Sequence, residues 1–114
     1  MIKVSIKKEN DLVKQIKITG HANYNEYGKD IVCASCSSIV ITTVNAILSI
    51  DKDAINYQDK KDFEMNVLKD DEIVNKLINN MISLLEELKH DYPKNIKIPY
   101  EEYYDEIEYP IICT

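Results

Sequence analysis

The chain contains no arginine. Its 14 basic side chains are all lysines, set against 20 aspartates and glutamates, for a net charge of −6. Nucleic-acid-binding proteins lean on arginine for bidentate contacts with phosphate and guanine. An acidic chain without it is unsuited to direct DNA or RNA binding and better suited to meeting a basic protein. Cysteine is scarce: Cys33, Cys36 and Cys113. An odd number, two of them three apart, does not make the even framework of a disulfide-stapled secreted domain. Lys3, Lys7, Lys8 and Glu9 interrupt any apolar signal core at the start, so the expected location is cytoplasmic. Glycine occurs only at Gly20 and Gly28. One long segment, Ile31 to Ile50, lacks charge altogether and is about long enough to cross a bilayer. Ser35, Ser37, Ser38, Thr42, Thr43, Asn45 and Ser49 interrupt it, and leucine occurs there once. The expectation is a helix buried on most sides by its own domain, with no membrane contact.

What is present fits one domain, residues 1–114, around one modest core. Ile2, Val4 and Ile6 alternate with Lys3, Ser5 and Lys7, which is strand periodicity. Lys8 to Asp11 reads as a polar turn and Leu12 to Thr19 as a second strand, together an antiparallel hairpin. Gly20 breaks the second strand. A helix is expected to open after Asp30, with Val32, Cys36, Ile39, Val40, Thr43, Val44 and Ile47 as its apolar stripe, and to end at Asp51-Lys52-Asp53. Ala54–Gln58 and Phe63–Leu68 flank Asp59-Lys60-Lys61-Asp62 as a second hairpin. Asp70 and Asp71 introduce a second helix whose core face is Ile73, Val74, Leu77, Ile78, Met81, Leu84, Leu85 and Leu88. Tyr92-Pro93 stops it. Asn95–Pro99 reads as a last short strand, and an acidic, tyrosine-bearing tail follows from Tyr100. The fold class is therefore α+β: two helices packed on a small, mainly antiparallel sheet in the order β-β-α-β-β-α-β.

Chemistry concentrates at the loop between the second strand and the first helix. His21 and Cys33 stand at its two ends, and Cys33 falls in the first helical turn. A free thiol ionises near pH 8.5, so lowering that by about two units takes about 2.7 kcal/mol. A helix N-terminus supplies roughly 0.3–1 kcal/mol and at most about 2. A nearby imidazolium supplies the remainder, and His21 is the histidine in reach, since His90 lies at the far end of the second helix. The pair reads as a cysteine nucleophile with a histidine partner. Unpaired amides of the first turn are expected to support the thiolate and the oxyanion. Asp30 caps the helix or orients His21, or does both. Ser37 lies one turn beyond Cys33 on the same face. Gly28 permits positive φ in the loop, and Tyr24 and Tyr27 are placed to clasp a substrate.

Other readings of the same residues stay open at this level. Cys33-Ala34-Ser35-Cys36 is a CxxC, the spacing of thiol-disulfide exchange proteins, although no parallel strand of a βαβ unit precedes it. A histidine before a CxxC also suggests a zinc deaminase. His21-Ala22-Asn23 lacks the required H-x-E glutamate, and Val32 stands where that motif has proline. A structural zinc site would need a fourth ligand, such as Cys113 or His90. A non-catalytic binding module would dock a basic partner through the acidic tail.

Residues 18 to 37, I-T-G-H-A-N-Y-N-E-Y-G-K-D-I-V-C-A-S-C-S, resemble the ribosomal-processing cysteine protease family Prp. The likeness is carried by Gly20, His21, Ala22, Gly28, Asp30, Ile31, Val32, Cys33, Ala34 and Ser37, at intact spacing. It implies an endopeptidase that removes an N-terminal extension from large-subunit ribosomal protein twenty-seven, after an aromatic-rich stretch, in ribosome assembly. It implies Cys33 as nucleophile, His21 as general base and acid, and Asp30 and Ser37 in support. The loop holding Gly20, Tyr24, Tyr27 and Gly28 would order over substrate. The resemblance further implies a homodimer that uses no metal or other cofactor. Cys36 departs from the family, where an apolar residue is common. It is expected to be a silent small hydrophobe, since cysteines on adjacent turns of one helix seldom reach disulfide geometry.

Overall fold

In the computed structural model, which describes residues 1–26 and 29–103, the opening alternation becomes strand β1 (Ile2–Glu9), paired antiparallel with β2 (Leu12–Thr19). The polar turn is tighter than expected. Only Asn10 (φ 52°) and Asp11 (φ 64°) lie outside the strands, and both take the positive φ of a two-residue primed turn. A bulge sets Lys7 opposite Gln15 but Lys8 opposite Val13. The extra residue, Lys14, turns Val13 rather than itself into the core, beside Ile16, Ile2, Val4 and Ile6.

Helix α1 (Ile31–Ile50) opens on Asp30 and closes on Asp51, whose amide donates to the Ile47 carbonyl. Its buried stripe is Val32, Cys36, Val40, Thr43, Val44 and Ile47, with Ile39 partly buried, as the spacing predicts. The Thr43 hydroxyl is satisfied within the helix, donating to the Ile39 carbonyl at 2.9 Å. By length and a mean hydropathy of 2.0, α1 meets the requirements of a membrane-crossing helix. Only a third of it is buried, so the domain covers one stripe of the helix rather than most of its sides as expected, and that stripe joins the strands in one core.

Strands β3 (Ile55–Asp59) and β4 (Phe63–Val67) form the second hairpin. Helix α2 (Glu72–Asp91) is capped by Asp71, which accepts from the Val74 amide at 3.0 Å. Two expected core residues of α2 are not buried: Ile73 is 56% exposed and Leu84 38%. They lie on one flank of the stripe Val74, Ile78, Met81 and Leu85. The opposite flank faces inward, so Ile82 is buried although the periodicity had not selected it. How α2 rolls against α1 and the sheet decides which flank is covered, and spacing alone does not fix that roll.

The last segment also differs from expectation. The short strand narrows to β5 (Ile96–Lys97), and a further strand, β6 (Tyr100–Glu102), follows where the tail was expected to begin. Both pair parallel with β1 along the same edge. Pro99 separates them, because it has no N–H for the ladder, while its carbonyl accepts from the Ile6 amide at 2.9 Å. The Tyr100 hydroxyl donates to Glu86 at 2.7 Å. The sheet order is β3-β4-β2-β1-β5, with β6 also on β1. β1 and β2 therefore lie in the middle, and the end of β2 delivers the chain to the mouth of α1.

Candidate active site

Gly20 turns the chain out of β2 with φ 81°, and a Cβ there would collide with the Met1 carbonyl oxygen. Left-handed backbone costs a side-chain-bearing residue roughly 1–3 kcal/mol even without a clash, so this corner requires glycine. The chain then passes His21, which is exposed, and Ala22, which is 1% exposed, to Asn23 at φ 55°.

Asp30 gathers the loop and the helix with one carboxylate. Its Oδ1 accepts from the amides of Val32 (3.0 Å) and Cys33 (3.1 Å), and its Oδ2 from those of Tyr24 (2.9 Å) and Asn25 (3.4 Å). Partial burial pushes its carboxyl up, but the hydrogen bonds from Cys33, Tyr24, Asn25 and Val32 together outweigh this and hold it below the ordinary 3.8. Of the two roles expected for Asp30, capping is the one the geometry displays. Among the described residues no hydrogen bond joins Asp30 to His21. The expectation of unpaired first-turn amides also needs correction. Val32 and Cys33 donate to the Asp30 carboxylate, because a carboxylate N-cap takes orphan donors of its own helix, and the Ala34 amide makes the first bond of the helical ladder, to the Asp30 carbonyl (3.1 Å).

The Cys33 sulfur accepts from a different amide, that of Ala22, at 3.3 Å. Cys33 is partly buried and unpaired. A cleft of about 520 Å³ opens beside it, lined by His21, Asn23 and Asn25 of the loop and by Asp30, Cys33, Ala34 and Ser37 of the helix start. The structure thus brings His21, Asp30, Cys33 and Ser37 together. Tyr24 does not line the cleft; its ring packs edge-on against Tyr92, centroids 5.2 Å apart at 81°. Tyr27, Gly28, Cys113 and the rest of the tail from 104 onward lie outside the described residues. His90 is 90% exposed at the end of α2, beside Asp91. Among the described residues no three His, Cys, Asp or Glu side chains cluster as metal ligands.

Cys36 faces the other way, into the core. Burial, and then the charge of the neighbouring Cys33, push its thiol up to about 11. It is therefore a neutral packing group near pH 7, unlike the attacking thiol of an exchange motif. Iodoacetamide at pH 7.5 is expected to label Cys33 in the folded protein and leave Cys36 unmodified, read by peptide mass spectrometry. Cys36→Ala is expected to retain cleavage within a few-fold. Equal labelling of both thiols, or loss of activity in Cys36→Ala, would favour the redox reading.

Sequence reasoning passed over Asn23, Asn25, Tyr92 and Asn95. Asn95 donates from its side-chain amide to the Ala22 carbonyl at 3.0 Å. No local signal marks that contact, since the partners are 73 residues apart.

Comparison with known proteins gives the family. A sequence model described as cysteine protease Prp matches residues 1–97. The ribosomal processing cysteine protease Prp of Bacillus subtilis (strain 168) is 32% identical over 111 residues, 86% of this chain and 96% of that protein. Its counterpart in Staphylococcus aureus (strain Mu50 / ATCC 700699) is 31% identical over 93 residues, 78% and 88% of the two chains. The crystal structure of an essential ribosomal processing protease Prp from S. aureus, in complex with a covalently linked product peptide, matches with a TM-score of 0.81. The identity is 30%, covering 89% of this chain and 100% of that one. A second S. aureus Prp structure, with a substrate peptide, gives a TM-score of 0.79 at 25% identity, covering 89% and 100%. With a cysteine and a histidine on one cleft, and these matches spanning most of its length, the chain belongs to the cysteine protease Prp family and is a cysteine-type peptidase.

Proposed function

We propose that this peptidase removes the N-terminal extension of large-subunit ribosomal protein twenty-seven, using Cys33 as nucleophile and His21 as its acid-base partner. The observation that carries the reading is that His21 and Cys33 line one cleft at the start of α1, with the Ala22 amide donating to the sulfur. The Cys33 thiolate attacks the scissile carbonyl, and its former proton rests on His21. His21 then protonates the leaving amine, giving an acyl-enzyme and the first product. Water adds to the thioester with His21 as base and releases the second product and the free thiol. The covalently linked peptide in the S. aureus relative supports a covalent step. Asp30 holds the loop against the helix, and Ser37 lines the substrate cleft one turn along. The net charge of −6 suits a lysine-rich ribosomal protein rather than nucleic acid.

The test is mass spectrometry of the extended ribosomal protein after incubation with the enzyme. Loss of an N-terminal peptide at one bond is expected, and an unchanged mass would end the reading. The enzyme works in this reading as a cytoplasmic homodimer, without metal or membrane. Light scattering should give twice the chain mass, and a monomer mass at micromolar concentration would refute the dimer. Cell fractionation should place it in the cytosol; recovery with membranes would refute that location.

A further inference from the structure

Two of the donors that a helix start ordinarily offers are already taken. The Val32 and Cys33 amides of α1 are held by the Asp30 carboxylate, which also offsets the positive end of the helix. The backbone amide that does meet the Cys33 sulfur belongs to Ala22, across the loop. Ala22 is held from its other side as well, since its carbonyl accepts from the Asn95 side-chain amide at 3.0 Å. Asn95 is itself fixed by its backbone. Its N–H donates to the Tyr92 carbonyl at 3.0 Å, and its carbonyl accepts from the Ile2 amide at 2.8 Å. Tyr92 in turn carries the Tyr24 ring, so the turn after α2 grips the loop at a second point.

We propose that Asn95 is a positioning residue for proteolysis, holding the Ala22 amide on the Cys33 sulfur so that this N–H is the backbone donor to the charge formed there. The inference rests on Cys33 being the nucleophile. As the S–C bond forms, the carbonyl π electrons move to oxygen, and the negative charge passes from sulfur to an oxygen bonded to the same carbon. The Ala22 N–H, which meets the sulfur at 3.3 Å, transfers no proton. Asn95 touches neither sulfur nor substrate and acts only through Ala22.

Asn95→Asp tests this with little change of shape. It leaves the backbone bonds of residue 95 in place but sets a carboxylate oxygen against the Ala22 carbonyl in place of a donor. The expected result is a kcat lower by about 10–100-fold, the usual effect of losing an orienting hydrogen bond one step from the chemistry, with KM within about two-fold. Iodoacetamide should alkylate Cys33 at pH 7 several-fold more slowly, while the melting temperature stays near that of the parent. A purely structural role would lower the melting temperature and leave the alkylation rate of the folded protein unchanged, and that result would overturn the proposal. Should Asn95→Asp not fold at the assay temperature, Asn95→Ala carries the same test. Asn75→Ala, which removes a surface contact with Asp70 at the start of α2, should behave as the parent. Cys33→Ala belongs in the same series. If it cleaves, the assignment of the nucleophile fails. If it is inactive while Asn95→Asp has parental kcat and alkylation, only the role of Asn95 fails.

Discussion

Cys33→Ala is expected to abolish processing, with kcat falling on the order of 10⁵–10⁶-fold, the scale seen when a protease loses its nucleophile. Alanine leaves nothing to form the acyl-enzyme, and no second thiol can substitute from within the described fold. Cys36 is the nearest candidate, and it is buried, neutral and turned into the core. The fold should survive the change. Cys33 is only partly buried, its amide still donates to Asp30, and the Ala22 amide loses one weak sulfur acceptor. A stability change within about 1 kcal/mol is therefore expected. Intact-mass analysis of the ribosomal substrate together with a thermal melt separates the two effects. Undiminished turnover by a folded Cys33→Ala variant would remove the mechanism altogether.

His21→Ala is expected to lower kcat by about 10²–10⁴-fold, the range supplied by a positioned acid-base group. The side chain is exposed at the cleft, so removing it creates no cavity and leaves the buried Ala22 and the corner at Gly20 intact. The loss should appear in the chemical step, with alkylation of Cys33 at pH 7 slowed in parallel. With the Val32 and Cys33 amides taken by the Asp30 carboxylate, α1 is less able to stabilise the thiolate unaided, which increases the dependence on His21. His90→Ala serves as the comparison, since His90 sits exposed at the end of α2. If His21→Ala keeps kcat within a few-fold of the parent, or if both histidine variants lose activity equally, His21 is not the partner.

Both expectations trace to residues that could be read directly from the chain, because the signals involved are short-ranged. Alternation over eight residues specifies a strand with one wet face. A carboxylate immediately before an apolar run specifies where a helix starts, and α1 does open on Asp30 and close on Asp51. Glycine at position 20 specifies a corner that no other residue tolerates. His21 and Cys33 are twelve positions apart on one connection, so their meeting required only that the loop fold back on the helix it feeds.

What the tertiary structure decided involves groups that sequence distance hides. The inward flank of α2 exchanged Ile73 and Leu84 for Ile82 because burial follows how two helices roll on a sheet, and the apolar spacing fits more than one roll. The parallel edge of β5 and β6 on β1 joins opposite ends of the chain, and residues beyond Pro99 carry no local mark of it. Asp30 turned out to take the amides that the helix start was expected to offer, since a capping oxygen and an oxyanion compete for the same donors. The donor at the sulfur therefore comes from Ala22, fastened by Asn95 from across the fold. By itself the sequence determined the two helices, the first four strands and their order, because each depends on neighbours along the chain, and it nominated His21 and Cys33 as the reactive pair. The tertiary structure alone decided which hydrogen bonds surround that pair, because each amide has one proton to give and only the packed fold selects its acceptor.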